Sequence, residues 1–112
     1  MRRPHLNRQL VLETIVRVDD GSGGFEETWQ PVGTLWGQIK PRTGRVREGE
    51  AGAVSVHAFV IKVRGAPQGQ SNRPAAGQRF RSGARVFRIE AVTEDEPKGF
   101  YLICHCEEEL AT

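Results

Sequence analysis

The chain has 112 residues, enough for one domain with a single core but too few for a catalytic cleft between two lobes. Charged residues make up 27% and the formal net charge is +2, which excludes a polycationic nucleic-acid coat and an acidic tail protein. With 13 glycines, 6 prolines and 38% hydrophobic residues, the composition favours a turn-rich β domain over a bundle of long helices. No apolar run approaches the ~18 residues that span a bilayer, and MRRPHLNRQ lacks the apolar core of a secretory signal. The expectation is synthesis in the cytosol and no membrane partner.

Residues 1–9 read as an N-terminal arm. LVLETIVRV (10–18) sets Leu10, Leu12, Val16 and Val18 against Glu13 and Arg17, the period of a half-buried strand. DDGSGG then reverses the chain, because Asp19 and Asp20 supply turn-forming carboxylates and glycines 21, 23 and 24 supply conformational freedom. FEETW leads through Pro31 into VGTLWGQIK (32–40), where Leu35, Gly37 and Ile39 alternate with Trp36 and Gln38. A proline lacks the ladder donor, so this strand is expected to start at residue 32.

A basic loop follows over 41–53, where Arg42, Arg45 and Arg47 are separated by glycines and offset by Glu48 and Glu50. VSVHAFVIKVR (54–64) is apolar on both alternating faces at its centre, as in a central strand covered on both sides. GAPQGQSNRPAAGQ (65–78) is a long polar loop, and loops of this length are usually functional or disordered. A short strand around Phe80, a turn at Ser82 and Gly83, and a strand from about 85 to 92 follow, with Phe87, Ile89 and Ala91 expected on one face. EDEPKG marks another hairpin. The closing strand FYLICHCE sets Phe100, Leu102, Cys104 and Cys106 against Tyr101, Ile103 and His105. The reading is one all-β domain over 1–112, a small antiparallel barrel or sandwich of about six strands with two long loops.

Cys104 and Cys106 stand two apart, so on a strand they share a face with Cα atoms about 7 Å apart, at the limit of a disulfide. Reduced thiols packing in a core fit better. His105 lies on the opposite face, and neither His57 nor His5 is near in sequence, so no tetrahedral metal set is expected. Serines 22, 55, 71 and 82 lack a nucleophile elbow, and the chain carries no HExxH or Walker-type loop. No enzyme activity and no cofactor are expected. The acidic runs DD, EDE and EEE read as solvated turns and a tail. The basic loop has two readings: an ordinary solvated surface, or arginines that track a nucleic-acid backbone without reading bases. Both long loops lack the interleaved aromatics of a single-strand binder.

In order, LVLE, DDGSGGFEETW, WGQIKP, HAFVIKVR, GQRF, GARVFRIEAV and YLICHCEE resemble the tailed-phage head-tail joining proteins, the stopper or head-completion group of siphophages, prophages and gene transfer agents. The resemblance runs from about Leu10 to Glu108. Asp20, Gly21, Gly24 and Trp29 fit the family's Asp-Gly-Gly…Trp segment. Trp36 and Pro41 fit a strand end, Arg64 fits the arginine closing the third strand, and Gly83, Phe87, Ile89 and Val92 fit the later hairpin. Gly37 stands where the family usually has Ala, Phe87 where Tyr is common, and Pro4-His5 where a Gly usually precedes the first Leu.

The resemblance implies a β-barrel-like protomer in a homo-oligomeric ring of roughly twelve copies. Such a ring sits below the portal and adaptor, closes the DNA-filled head and presents a surface to a tail terminator or tail tube protein. Double-stranded DNA passes through it non-specifically, with Arg42, Arg45 and Arg47 as the channel-lining candidates; Glu48 and Glu50 keep the contact weak. The 65–78 loop is then a docking element, and the opposite charges of the two termini suit head-to-tail contacts. A free-standing β-barrel that binds nucleic acid is the alternative reading of the same residues.

Overall fold

The computed structural model describes residues 6–42, 57–65, 73–95 and 101–109. Six strands account for most of them: β1 Arg8–Asp19, β2 Phe25–Pro41, β3 Ala58–Arg64, β4 Arg79–Ser82, β5 Arg85–Glu94 and β6 Tyr101–Glu109. Every pairing is antiparallel and the order β1-β2-β3-β6-β5-β4 closes on itself, because β4 returns to β1 through Val11–Arg81, Leu12–Phe80 and Glu13–Arg79. No helix occurs among the described residues.

Strand alternation fills the barrel. Leu10, Leu12, Leu35, Ile61, Val63, Phe80, Phe87, Ile89, Leu102, Cys104 and Cys106 form one buried cluster, with Val32, Ile39, Phe59 and Val92 against it. A fully buried Leu, Ile or Phe contributes about 1.5–3 kcal/mol from desolvation. Gly37 sits among them for a steric reason. A Cβ there would lie 2.7 Å from a Leu10 methyl and 3.1 Å from the Lys62 carbonyl oxygen, so Gly rather than Ala lets β2 approach its neighbours.

Two bulges alter the expected strand boundaries and faces. Leu12 pairs with Gly33 but Glu13 with Pro31, so Val32 is an extra residue on β2. β2 therefore does not start at residue 32: it runs unbroken through Pro31. The proline is tolerated because it lies at the irregularity, and in this half of β2 the strand pairs with β1 only. On β5, Ile89 pairs with Cys106 and Ala91 with His105, leaving Glu90 extra. The bulge turns Ala91 outward and brings Val92 against the core, the reverse of simple alternation.

β3 lies between β2 and β6, as a central strand must, with Ile61 and Val63 buried. Its other face is only half-buried, so it packs on one side rather than two. Residues 54–56 of the expected strand lie outside the described residues. The β1–β2 turn is held by Asp20, whose Oδ1 accepts the amides of Ser22 at 2.8 Å and Gly24 at 3.1 Å, with Gly21 at φ 81°. Gly83, at φ 60°, opens the two-residue β4–β5 turn in the manner of a type II′ hairpin.

The two cysteines are free and buried in the core. Burial pushes the Cys104 thiol up to about 12, and the Cys106 thiol higher still. Neither thiol should react with iodoacetamide at pH 8 in the native chain, whereas both should react in denaturant; mass spectrometry checks this, and native labelling would place them outside the core.

Candidate functional site

β2 is the axis on which the candidate surfaces are arranged. Its C-terminal end delivers the chain to the basic loop, and its N-terminal half leaves the barrel. β1 pairs with β4 only through Val11–Glu13 and β2 with β3 only from Gly37 onward, so residues 14–30 project as a two-stranded ribbon with no further strand beside it among the described residues. The ribbon and the C-terminal end of β2 consequently lie at opposite ends of the strand.

At the loop end, Arg42 is exposed and its amide donates to the Ala58 carbonyl at 2.9 Å, closing the β2–β3 ladder beyond Pro41–Phe59. Arg45, Arg47, Glu48 and Glu50 lie outside the described residues. Beside this end, Arg85 grips Glu108 through two hydrogen bonds, Nε to Oε2 at 2.8 Å and Nη2 to Oε1 at 3.0 Å. The same guanidinium lies 5.2 Å from the Phe59 ring centroid and 4.8 Å from that of Phe87, and the two rings meet edge to face at 5.3 Å. The EEE run is thus not a solvated tail: Glu107–Glu109 belong to β6, and Glu108 is ion-paired.

The Arg85 hydrogen bond holds the Glu108 carboxyl below its ordinary value of 4.5. A depressed folded-state value gives stability that is present above the unfolded value and lost as pH falls through the folded one. Glu108→Gln should therefore flatten the acid limb of a stability-versus-pH curve between about pH 5 and pH 2; an unchanged limb would count against the pair.

At the ribbon's root, Glu13 is the one buried charged side chain among the described residues. Arg79 Nε donates to it at 2.7 Å and Arg81 Nη2 lies 3.3 Å from its second oxygen. Arg79 also stacks 4.3 Å from the centre of the Trp29 ring. Sequence reasoning put Glu13 on a solvent face. The available signal was a carboxylate in an apolar strand together with arginines two apart, Arg79 and Arg81, in another.

The remaining motif residues divide by role. Asp20, Gly21 and Gly24 build the ribbon turn, Trp29 braces its root, and Phe87, Ile89 and Val92 serve the core. Pro41 and Arg64 are exposed strand ends, and Trp36 is 54% exposed on the outside of β2. The 65–78 loop is not free throughout: Pro74 is buried, Gly77 donates to the Ile89 carbonyl at 3.0 Å and Gln78 accepts from the Ile89 amide at 2.9 Å. Residues 66–72 of that loop lie outside the described residues. In the EDE run, Glu94 and Asp95 pair with Arg73 and Lys62. Among the described residues no three His, Cys, Asp or Glu side chains gather as a metal set.

The chain matches the phage head completion protein family over residues 1–109. The chain belongs to that family. Among solved structures, a chain of the virion of a native gene transfer agent particle is 47% identical, with a TM-score of 0.75, covering 97% of this chain and 100% of that one. The solution structure of a Shigella flexneri 2a protein shares the fold at 22% identity, with a TM-score of 0.67 and 96% of each chain covered. No curated protein matches the chain. The family and the virion relative give this head completion protein a structural role in a phage or phage-like head.

Proposed function

We propose that this head completion protein is a non-enzymatic connector, or stopper, that assembles as a ring below the portal and adaptor. It closes the DNA-filled head and offers the attachment surface for the tail. The observation that carries this reading is the 47% identity, over 97% of this chain and 100% of the other, to a component of a gene transfer agent virion. A protomer with one small core and a projecting ribbon suits a part that gains contacts on assembly.

In this role Arg42, Arg45 and Arg47 line the channel. Copies of the loop around a ring multiply a modest charge, and the neighbouring glutamates keep each contact weak, so DNA slides past without being read. The test is deletion of the chain in its producing host. DNA-filled heads without tails are expected under electron microscopy, and normal numbers of tailed particles would overturn the connector role. Replacing the three arginines together with Ala should leave the fold intact and reduce DNA retention or delivery. Salt-sensitive duplex binding by the isolated chain would instead favour a free-standing nucleic-acid-binding module.

A further inference from the structure

Two surfaces of this chain complement each other and are placed so that they meet only between copies. The first is the ribbon. Residues 14–30 carry four carboxylates, Asp19, Asp20, Glu26 and Glu27, against the single Arg17. Ile15 is 40% exposed, Val18 45% and Phe25 68%. Phe25 lies opposite Asp19, beside the acidic pair Glu26 and Glu27. An isolated two-stranded ribbon is marginal in water, and among the described residues no further strand pairs with its edges beside the exposed Ile15, Val18 and Phe25.

The second surface is the outer face of β2 and β3. Leu35, Gly37 and Ile39 face inward, so Trp36, Gln38 and Lys40 face out; Ile61 and Val63 face inward, so Val60, Lys62 and Arg64 face out. Gln38 pairs with Lys62 and Lys40 with Val60, and extending that register sets Arg64 beside Trp36. The result is an exposed indole among three cations. Lys62 pairs with Asp95 at 3.0 Å, while Lys40 and Arg64 make no ion pair among the described residues.

We infer that the ribbon of one copy docks, Phe25 foremost, on the Trp36–Lys40–Arg64 face of the next copy. Within one chain this contact is excluded: Phe25 and Trp36 lie on the same continuous strand, eleven residues and about 35 Å apart. Charge complementarity selects a second copy as the partner, since the ribbon has net negative charge and the receiving face net positive charge. The two patches are different surfaces, so the contact is heterologous and repeats from copy to copy, as ring closure requires. The inference rests on the ring reading and names the surfaces that build it.

Charge reversal in the producing host tests it. Glu26→Lys with Glu27→Lys on the ribbon, and Lys40→Glu with Arg64→Glu on the face, should each cut the fraction of heads bearing tails by about tenfold or more, because like charges would meet across the contact. All four positions are exposed, so each purified variant should melt close to wild type. Combining the two reversals should restore joining; equal loss in the combined variant would overturn the docking. Loss from the face reversal alone, with DNA leaking from heads, would assign that face to DNA and overturn it too. A chain with Phe25→Cys and Trp36→Cys, treated with diamide in assembled particles, should give a ladder of disulfide-linked multimers. Ready maleimide labelling of both cysteines without a ladder would place them apart. If deletion of the whole chain leaves tailed particles, the connector reading fails; if deletion abolishes joining while the reversed ribbon still supports it, only the docking fails.

Discussion

Glu13→Ala is expected to destabilise the domain by about 3 kcal/mol, because it leaves the Arg79 guanidinium, itself mostly covered, without its counter-charge. The loss should be cooperative with Arg79→Ala. A double-mutant cycle should give about 1–3 kcal/mol of coupling for that pair and much less for Glu13 with Arg81, whose side chain is half exposed and better screened. The structural consequence should reach the ribbon. Trp29 stacks on Arg79 at the point where β1 and β2 leave the barrel, so loosening Arg79 should make Trp29 fluorescence more accessible to acrylamide while Trp36, already exposed, changes little. A loss below about 0.5 kcal/mol would mean that the carboxylate is in contact with water and the ribbon is not braced by it.

Phe87→Ala should cost about 3–5 kcal/mol, a large share of the 5–15 kcal/mol that holds a small domain together. Phe87 is fully buried, touches Phe59 edge to face and carries one face of the Arg85–Glu108 clamp. Its removal therefore opens a cavity and loosens the pair that ties β5 to β6. In thermal melts a fall of about 15 °C is expected, with Phe87→Leu falling by less than half as much because it refills most of the volume. A drop of only about 2 °C would show that the barrel collapses around the gap and that its core is more plastic than its packing indicates.

Much of this architecture was legible from alternation. A period of two places Leu10, Leu12, Leu35, Ile61, Val63, Leu102, Cys104 and Cys106 on strand faces, and each is buried in the barrel. Turn chemistry was equally local: Asp20 and its glycines reverse the chain through side-chain-to-backbone hydrogen bonds within four residues. Alternation failed where a strand carried one residue too many. Val32 and Glu90 are extra only relative to the strands opposite, so Pro31 inside β2 and Val92 against the core followed from pairing, not from the segments themselves.

The candidate functional surfaces divide the same way. The arginine-rich loop was visible as composition, and the family was visible in the order of its motifs, because both are properties of the chain read along its length. Strand period alone puts Glu13 on the solvent face, since its two arginines are more than sixty residues away in sequence and only barrel closure brings β4 beside β1. Closure also determines how far the ribbon stands clear. β4 is four residues long and covers β1 for three pairs, so among the described residues the far half of β1 and the first half of β2 have no further strand beside them. Sequence alone thus determined the turns, the family and most of the strands, but not the first half of β2, through short-range period and motif order. Tertiary structure decided which charge is buried, which strand half projects, and which two faces of one chain can meet only on different copies.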